Sequence, residues 1–135
     1  FLDNADVYYH YHTPEIYQGL ITILQEIHKE NKPIIINGGD TFISQAMKQN
    51  ALKGIVNGIN QESVFTSIDF EEKKYGIQNE AETAYFKTYI KKAKNYGLDV
   101  YLLEYGANGK LSEQINAYCV ENGFLWYNAG SLELK

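Results

Sequence analysis

The chain has 135 residues and a mass of 15.4 kDa, the size of one ordinary domain. Twelve Lys and Arg against seventeen Asp and Glu leave a net charge of −5, which argues against a nucleic-acid partner and its basic face. No run of about eighteen apolar residues reads as a membrane span, no charged stretch followed by an apolar one reads as a signal peptide, and a single cysteine, Cys119, excludes an intrachain disulfide or a structural zinc site.

Phe1-Leu2-Asp3-Asn4 reads as the end of a strand running into turn chemistry. Thr13-Pro14-Glu15 starts a helix, with Thr13 as N-cap, proline at the first helical position and an acid favoured by the helix dipole. Ile16, Leu20, Leu24 and Ile27 follow at helical spacing and predict one buried stripe. Ile34-Ile35-Ile36 is a β-branched run bounded by Asn37-Gly38-Gly39, which predicts a strand covered on both faces, as in a parallel sheet. Asp40 is expected to cap a short helix carrying Phe42, Ile43, Ala46 and Met47.

Residues 54–58 are expected to form a third short strand, followed by a polar loop from about Ile59 to Gln78 in which Asp69, Glu71 and Glu72 are solvated. Ala81, Tyr85, Tyr89 and Ala93, with Phe86 and Ile90, predict a second long helix ended by Gly97. Val100-Tyr101-Leu102-Leu103 reads as a fourth strand. Leu111, Ile115, Tyr118 and Cys119 mark a last helix stopped by Asn122-Gly123, with Cys119 facing the core. Residues 124–128 read as the final strand, with Trp126 in the core.

This alternation is the signature of parallel βα units, an α/β fold. Two architectures fit: a small open doubly wound sheet, or half of a (β/α)8 barrel. The start inside a strand favours the half-barrel, so that residues 1–135 are expected to form a single partial domain. In either case ligands bind at the carboxyl ends of the strands. Those ends carry Asp3, Asn4 and Asp6; Asn37, Gly38, Gly39 and Asp40; Asn60, Gln61 and Glu62; Glu104 and Tyr105; Asn128 and Ser131. His10, His12 and His28 lie away from this set, which predicts no metal site and no cofactor. Paired carboxylates without metal ligands suit glycosidic-bond cleavage, although an Asp at a strand end is more often a turn former or cap. Gly38-Gly39-Asp40 before a helix could instead cradle a phosphate, but it lacks the full dinucleotide or Walker pattern. Tyr8, Tyr9 and Tyr11, interleaved with His10 and His12, form either a sugar-stacking rim or an edge packed with rings.

Four pieces resemble, in the same order, glycoside hydrolase family 114, the endo-α-1,4-polygalactosaminidase-like (β/α)8 barrels. They are residues 1–6 (FLDNAD), 34–39 (IIINGG), 56–65 (VNGINQESVF) and 101–105 (YLLEY). The resemblance implies a chain like the second half of that barrel, from the end of strand four through strand eight. It implies Asp3 and Glu62, 59 residues apart, as the catalytic pair of a retaining enzyme, with Asp3 the nucleophile and Glu62 the acid/base, or those roles exchanged. Asn4, Asp6, Tyr8, Asn37, Gln61, Glu104 and Tyr105 are then expected to contact an amino-sugar polysaccharide, Glu104 either facing a cationic galactosamine or serving the structure. The fragment alone is expected to be inactive, and an extracellular or cell-surface location is implied. A non-catalytic carbohydrate-binding module of the same fold is the alternative. Half a barrel also leaves two sheet edges open, which predicts pairing with a second copy.

Overall fold

A computed structural model describes residues 1–131. Four strands, β1 (Ile35–Asn37), β2 (Gly58–Glu62), β5 (Asp99–Tyr105) and β6 (Leu125–Ala129), form one parallel sheet in the order β1-β2-β5-β6. Leu2 forms a parallel bridge to Ile36 on the flank of β1 that β2 leaves free. The strands therefore follow one another across the sheet as they do along the chain. A doubly wound sheet reverses its order at a switch point, and a barrel does not. The βα units are those of a partial (β/α)8 barrel. The chain falls into two compact units, residues 1–60 with 92–99, and residues from 61 to 91 with those from Val100 onward.

In the first unit, the expected opening strand is reduced to Leu2, whose N–H donates to the Ile35 carbonyl at 2.8 Å and whose carbonyl accepts from Asn37 N–H at 2.7 Å. A short helix α1 (Val7–His10) follows, which the sequence reading did not anticipate. Helix α2 (Pro14–His28) begins as expected, the Thr13 hydroxyl accepting from the Ile16 N–H, a cap of about 1 kcal/mol. Its buried centre is Ile21 and Leu24; Ile16, Leu20 and Ile27 are half-buried flanks. Helix α3 (Asp40–Lys48) buries Phe42, Ile43 and Ala46, but its N-cap is Gly39 and not Asp40, which lies in the first turn. Gly39 has φ +68°, and a Cβ there would stand 2.6 Å from the Ala5 Cβ. Only glycine fits that close approach.

The third strand lies four residues later than the sequence suggests. Ile55 and Val56 donate to the Leu52 carbonyl in a turn, and β2 runs over Gly58-Ile59-Asn60-Gln61-Glu62. The Asn57 side chain accepts from the Ile34 N–H at 2.9 Å and closes that turn onto β1. Asn60 and Gln61 are buried despite their polarity, in a strand hydrogen-bonded on both sides, to β1 and to β5.

In the second unit, the expected loop contains an antiparallel hairpin of β3 (Thr66–Asp69) and β4 (Lys74–Ile77), with Asp69 opposite Lys74. The Asp69 carboxylate accepts from the N–H groups of Glu71 and Glu72, which makes the tip. Helix α4 (Glu80–Tyr96) buries Tyr89, Ile90 and Ala93, whereas Ala81 and Tyr85 are exposed. Its start is capped by Asn79, which accepts from Glu82 N–H at 2.8 Å. Helix α5 (Gly109–Asn122) buries Ile115 and Cys119 and ends at Gly123 with φ +68°. Trp126 is half-buried rather than core; its indole N–H donates to Asn116 at 3.3 Å.

Two outcomes follow. Gly39→Ala adds strain and a clash with Ala5, and should cost about 2 kcal/mol or more in urea unfolding. Burial pushes the Cys119 thiol up to about 11. Its unfolded value is near 9, so the unfolded chain releases that proton first, and this contribution to stability is lost as pH rises from 9 through 11. A thiol reagent at pH 8 should label Cys119 only when denaturant is present.

Candidate active site

Asp3 stands one residue beyond the Leu2 bridge, at the carboxyl end of its strand segment. Its Oδ1 accepts from the Asn4 N–H at 2.8 Å and from the Asn37 side-chain amide at 3.3 Å. Asn37 in turn accepts from the Asn60 amide at 2.7 Å. Asn60, Asn37 and Asp3 thus form a chain of hydrogen bonds that ends on one carboxylate. Asn4 supports the turn with φ +68°, a left-handed backbone that asparagine tolerates.

Asp6 serves a different purpose. Its Oδ1 accepts from the Gly39 N–H at 2.9 Å. A Cβ at Gly38 would stand 2.9 Å from that same oxygen. The amide a phosphate would need is already committed to a carboxylate of the chain itself, which removes the phosphate-cradle reading of this turn. Tyr8 is also not a stacking platform: it is buried, its ring packs edge-on to Phe42 at 6.2 Å and against His12 at 4.3 Å, and its hydroxyl bonds His12 Nε2 at 3.3 Å. Tyr9 and Tyr11 remain exposed.

In the second unit, Glu62 is the last residue of β2 and is half-buried. The Tyr105 hydroxyl donates to its Oε2 at 2.9 Å. Burial, then the bond to Glu62 and its charge, push the Tyr105 hydroxyl well above the usual tyrosine range. Gln61 is buried, and its amide donates to the Glu62 carbonyl at 3.0 Å, so it shapes the backbone of its neighbour rather than a ligand surface.

Glu104 is the clearest correction. Its side chain is 0% exposed and cannot meet a substrate. Its carboxyl accepts from the N–H groups of Val64 (3.0 Å), Phe65 (3.2 Å) and Thr66 (2.9 Å), and from the Thr66 hydroxyl at 2.6 Å. Burial pushes this carboxyl above the ordinary range, with the Thr66, Phe65 and Val64 donors opposing. Ser63, with φ +54°, turns the chain and donates its N–H to the Leu103 carbonyl. Glu104 therefore staples the segment that leaves Glu62. Asn128 is likewise structural, exchanging two hydrogen bonds with the Ala107 backbone.

The hairpin contributes a residue the sequence reading passed over. The Tyr75 ring stacks on Tyr105, 16° from parallel with centroids 6.3 Å apart. The period-2 alternation around residues 66–77 was the available signal, hidden by its polarity. Among the described residues no group of three His, Cys, Asp or Glu could hold a metal ion, and no helix is long and apolar enough to cross a membrane.

No protein-family model matches the chain, and no curated protein sequence matches it. Among solved structures it is similar to the glycoside hydrolase domain of PelA from Pseudomonas aeruginosa, and equally to a variant of that domain. Each comparison has a TM-score of 0.68 at 14% identity, and covers 89% of this chain and 46% of the other. The chain has the fold of part of a glycoside hydrolase domain and spans about half the length of the structures it matches.

Replacing Glu104 with Gln puts an amide among four donors and leaves some of them unpaired. Glu104→Gln should cost about 2–4 kcal/mol in denaturant unfolding, and hydrogen exchange should accelerate first at the amides of residues 64–66.

Proposed function

We propose that the full-length protein containing this chain is a retaining glycoside hydrolase of the family 114 type, with Asp3 and Glu62 as its catalytic acids. The observation that supports the reading is the fold of a glycoside hydrolase domain in which Glu62 ends a parallel strand and Asp3 follows the parallel bridge at Leu2. Strand ends are where barrel enzymes keep their chemistry. A retaining mechanism needs the two groups about 5–5.5 Å apart.

Asp3 suits the nucleophile, since two donors hold its charge and leave Oδ2 to attack the anomeric carbon. Glu62 suits the acid/base. Tyr105 donates to Oε2 and orients the carboxyl, whose proton passes to the departing glycosidic oxygen. Water then attacks the glycosyl ester on Asp3 as Glu62 takes its proton back. Asn37 and Asn4 flank Asp3 and are suited to sugar hydroxyls, and Tyr9 and Tyr11 offer exposed rings. The substrate is an α-1,4-linked galactosamine-type polymer, attacked internally, which places the protein outside cells or at their surface. Residues 1–135 alone lack the other half of such a barrel and are inactive.

The test uses the full-length protein on partially deacetylated galactosaminogalactan. Glu62→Gln and Asp3→Asn should each lower product release by about 10²–10⁴-fold while leaving polymer binding in place. Equal release by variants and parent, with binding intact, would favour the non-catalytic carbohydrate module. The 135-residue chain by itself should form a dimer in light scattering, since β6 lies at the sheet edge with Leu125 and Tyr127 exposed.

A further inference from the structure

The hairpin β3–β4 is held firmly at its base and lightly along its length. At the base, Thr66 is tied to Glu104, the Gln78 N–H donates to the Phe65 carbonyl at 2.9 Å, and the Gln78 side chain donates to the Ser63 carbonyl at 3.1 Å. Every residue of β4 is exposed, and Phe70 at the tip is 70% exposed. A polar ribbon of this kind has little apolar surface of its own to anchor it. Tyr75 lies against the body of the unit through its stack on Tyr105, although it is itself 37% exposed.

Gly106 makes that stack possible. Its φ is +62°, and a Cβ there would stand 2.7–3.0 Å from Cδ2, Cγ and Cβ of Tyr75. The Gly106 N–H also donates to the Ala129 carbonyl at 2.9 Å, so the backbone is anchored to β6 and cannot yield to a larger residue. The stack is thus built from both sides: a ring on the hairpin and a missing side chain beneath it. The residue so covered, Tyr105, is only 5% exposed, and its hydroxyl is the group that meets Glu62 at 2.9 Å. Its backbone N–H donates to the Thr66 hydroxyl at 3.0 Å, which fixes the other end of the residue to the hairpin base.

We propose that Tyr75 is a positioning residue, its ring stacked on Tyr105 so that the Tyr105 hydroxyl stays dry and held on Glu62. In this reading the hairpin is a strap whose docking sets the orientation of the Glu62 carboxyl. Glu62 and Tyr75 are the titratable groups that act on Tyr105, and both raise the cost of removing its proton. The catalytic consequence rests on Glu62 being the acid/base, but the physical coupling does not.

The experiment follows Tyr105 directly in the full-length protein carrying tyrosine labelled with 13C at Cζ, its signal assigned by loss in Tyr105→Phe. Tyr75→Ala uncovers the ring, and its Tyr105 titration should begin at lower pH than in the parent. Gly106→Ala displaces the Tyr75 ring by another route and should move the signal in the same direction. Tyr75→Phe keeps the stack, loses only the smallest of the electrostatic contributions, and should move the titration less than Tyr75→Ala. An unmoved Tyr105 titration in Tyr75→Ala overturns the proposal, as does a Tyr75→Phe shift as large as that of Tyr75→Ala. In the polymer assay Tyr75→Ala should lower kcat roughly tenfold with KM changed less than about twofold. A raised KM with kcat unchanged would make Tyr75 a substrate contact and overturn the positioning role. Because the spectrum reads Tyr105 without any turnover, failure there leaves the hydrolase reading standing, and an inactive parent protein leaves the coupling standing.

Discussion

One buried carboxyl organises the second unit. Glu104 has no exposed surface, and it gathers three consecutive backbone N–H groups and a hydroxyl from residues 64–66. Placing a carboxyl there is costly, which is why burial raises its pKa; a nearly complete set of donors offsets that cost. The gain is geometric. The chain leaves β2 at Glu62, turns at Ser63 through a left-handed backbone, and is seized at once by Glu104. Everything downstream in the hairpin, including the stack of Tyr75 on Tyr105, starts from that anchored segment.

The same device occurs in the first unit at smaller scale. Asp6 takes the amide of Gly39 at the start of α3 and so ties the turn after Leu2 to the turn after β1. Acids at strand ends thereby divide into two kinds. Glu104 spends both oxygens, and Asp6 its Oδ1, on backbone N–H groups of distant turns, whereas side chains donate to Asp3 from Asn37 and to Glu62 from Tyr105. A carboxylate saturated with backbone donors is a staple. Asp3 and Glu62 are instead each met by a side-chain donor, and the functional reading of the two acids rests on that contrast.

The order of the strands carries the architectural conclusion. Leu2, β1, β2, β5 and β6 lie side by side in chain order, with the hairpin inserted after β2. Sequential parallel strands joined by helices give the singly wound path that a barrel requires. The likeness to a glycoside hydrolase domain along most of this chain, at low identity, agrees with that path and extends no further than the fold.

Much of this was legible in the residues alone. Thr13-Pro14, Ile34-Ile35-Ile36, Val100–Leu103 and the stop at Asn122-Gly123 specify their elements through capping, β-branching and glycine conformation, all of which act over a few residues. Periodicity failed where polarity and pairing disagreed: β2 ends in asparagine, glutamine and glutamate yet is a strand because it lies between β1 and β5, and the hairpin is polar because it is exposed. The sequence by itself determined which acids stand at strand ends. Whether an acid is a staple or remains open to a ligand was decided by tertiary structure alone, since the donors that claim Glu104 lie 38–40 residues away along the chain and no local pattern records them.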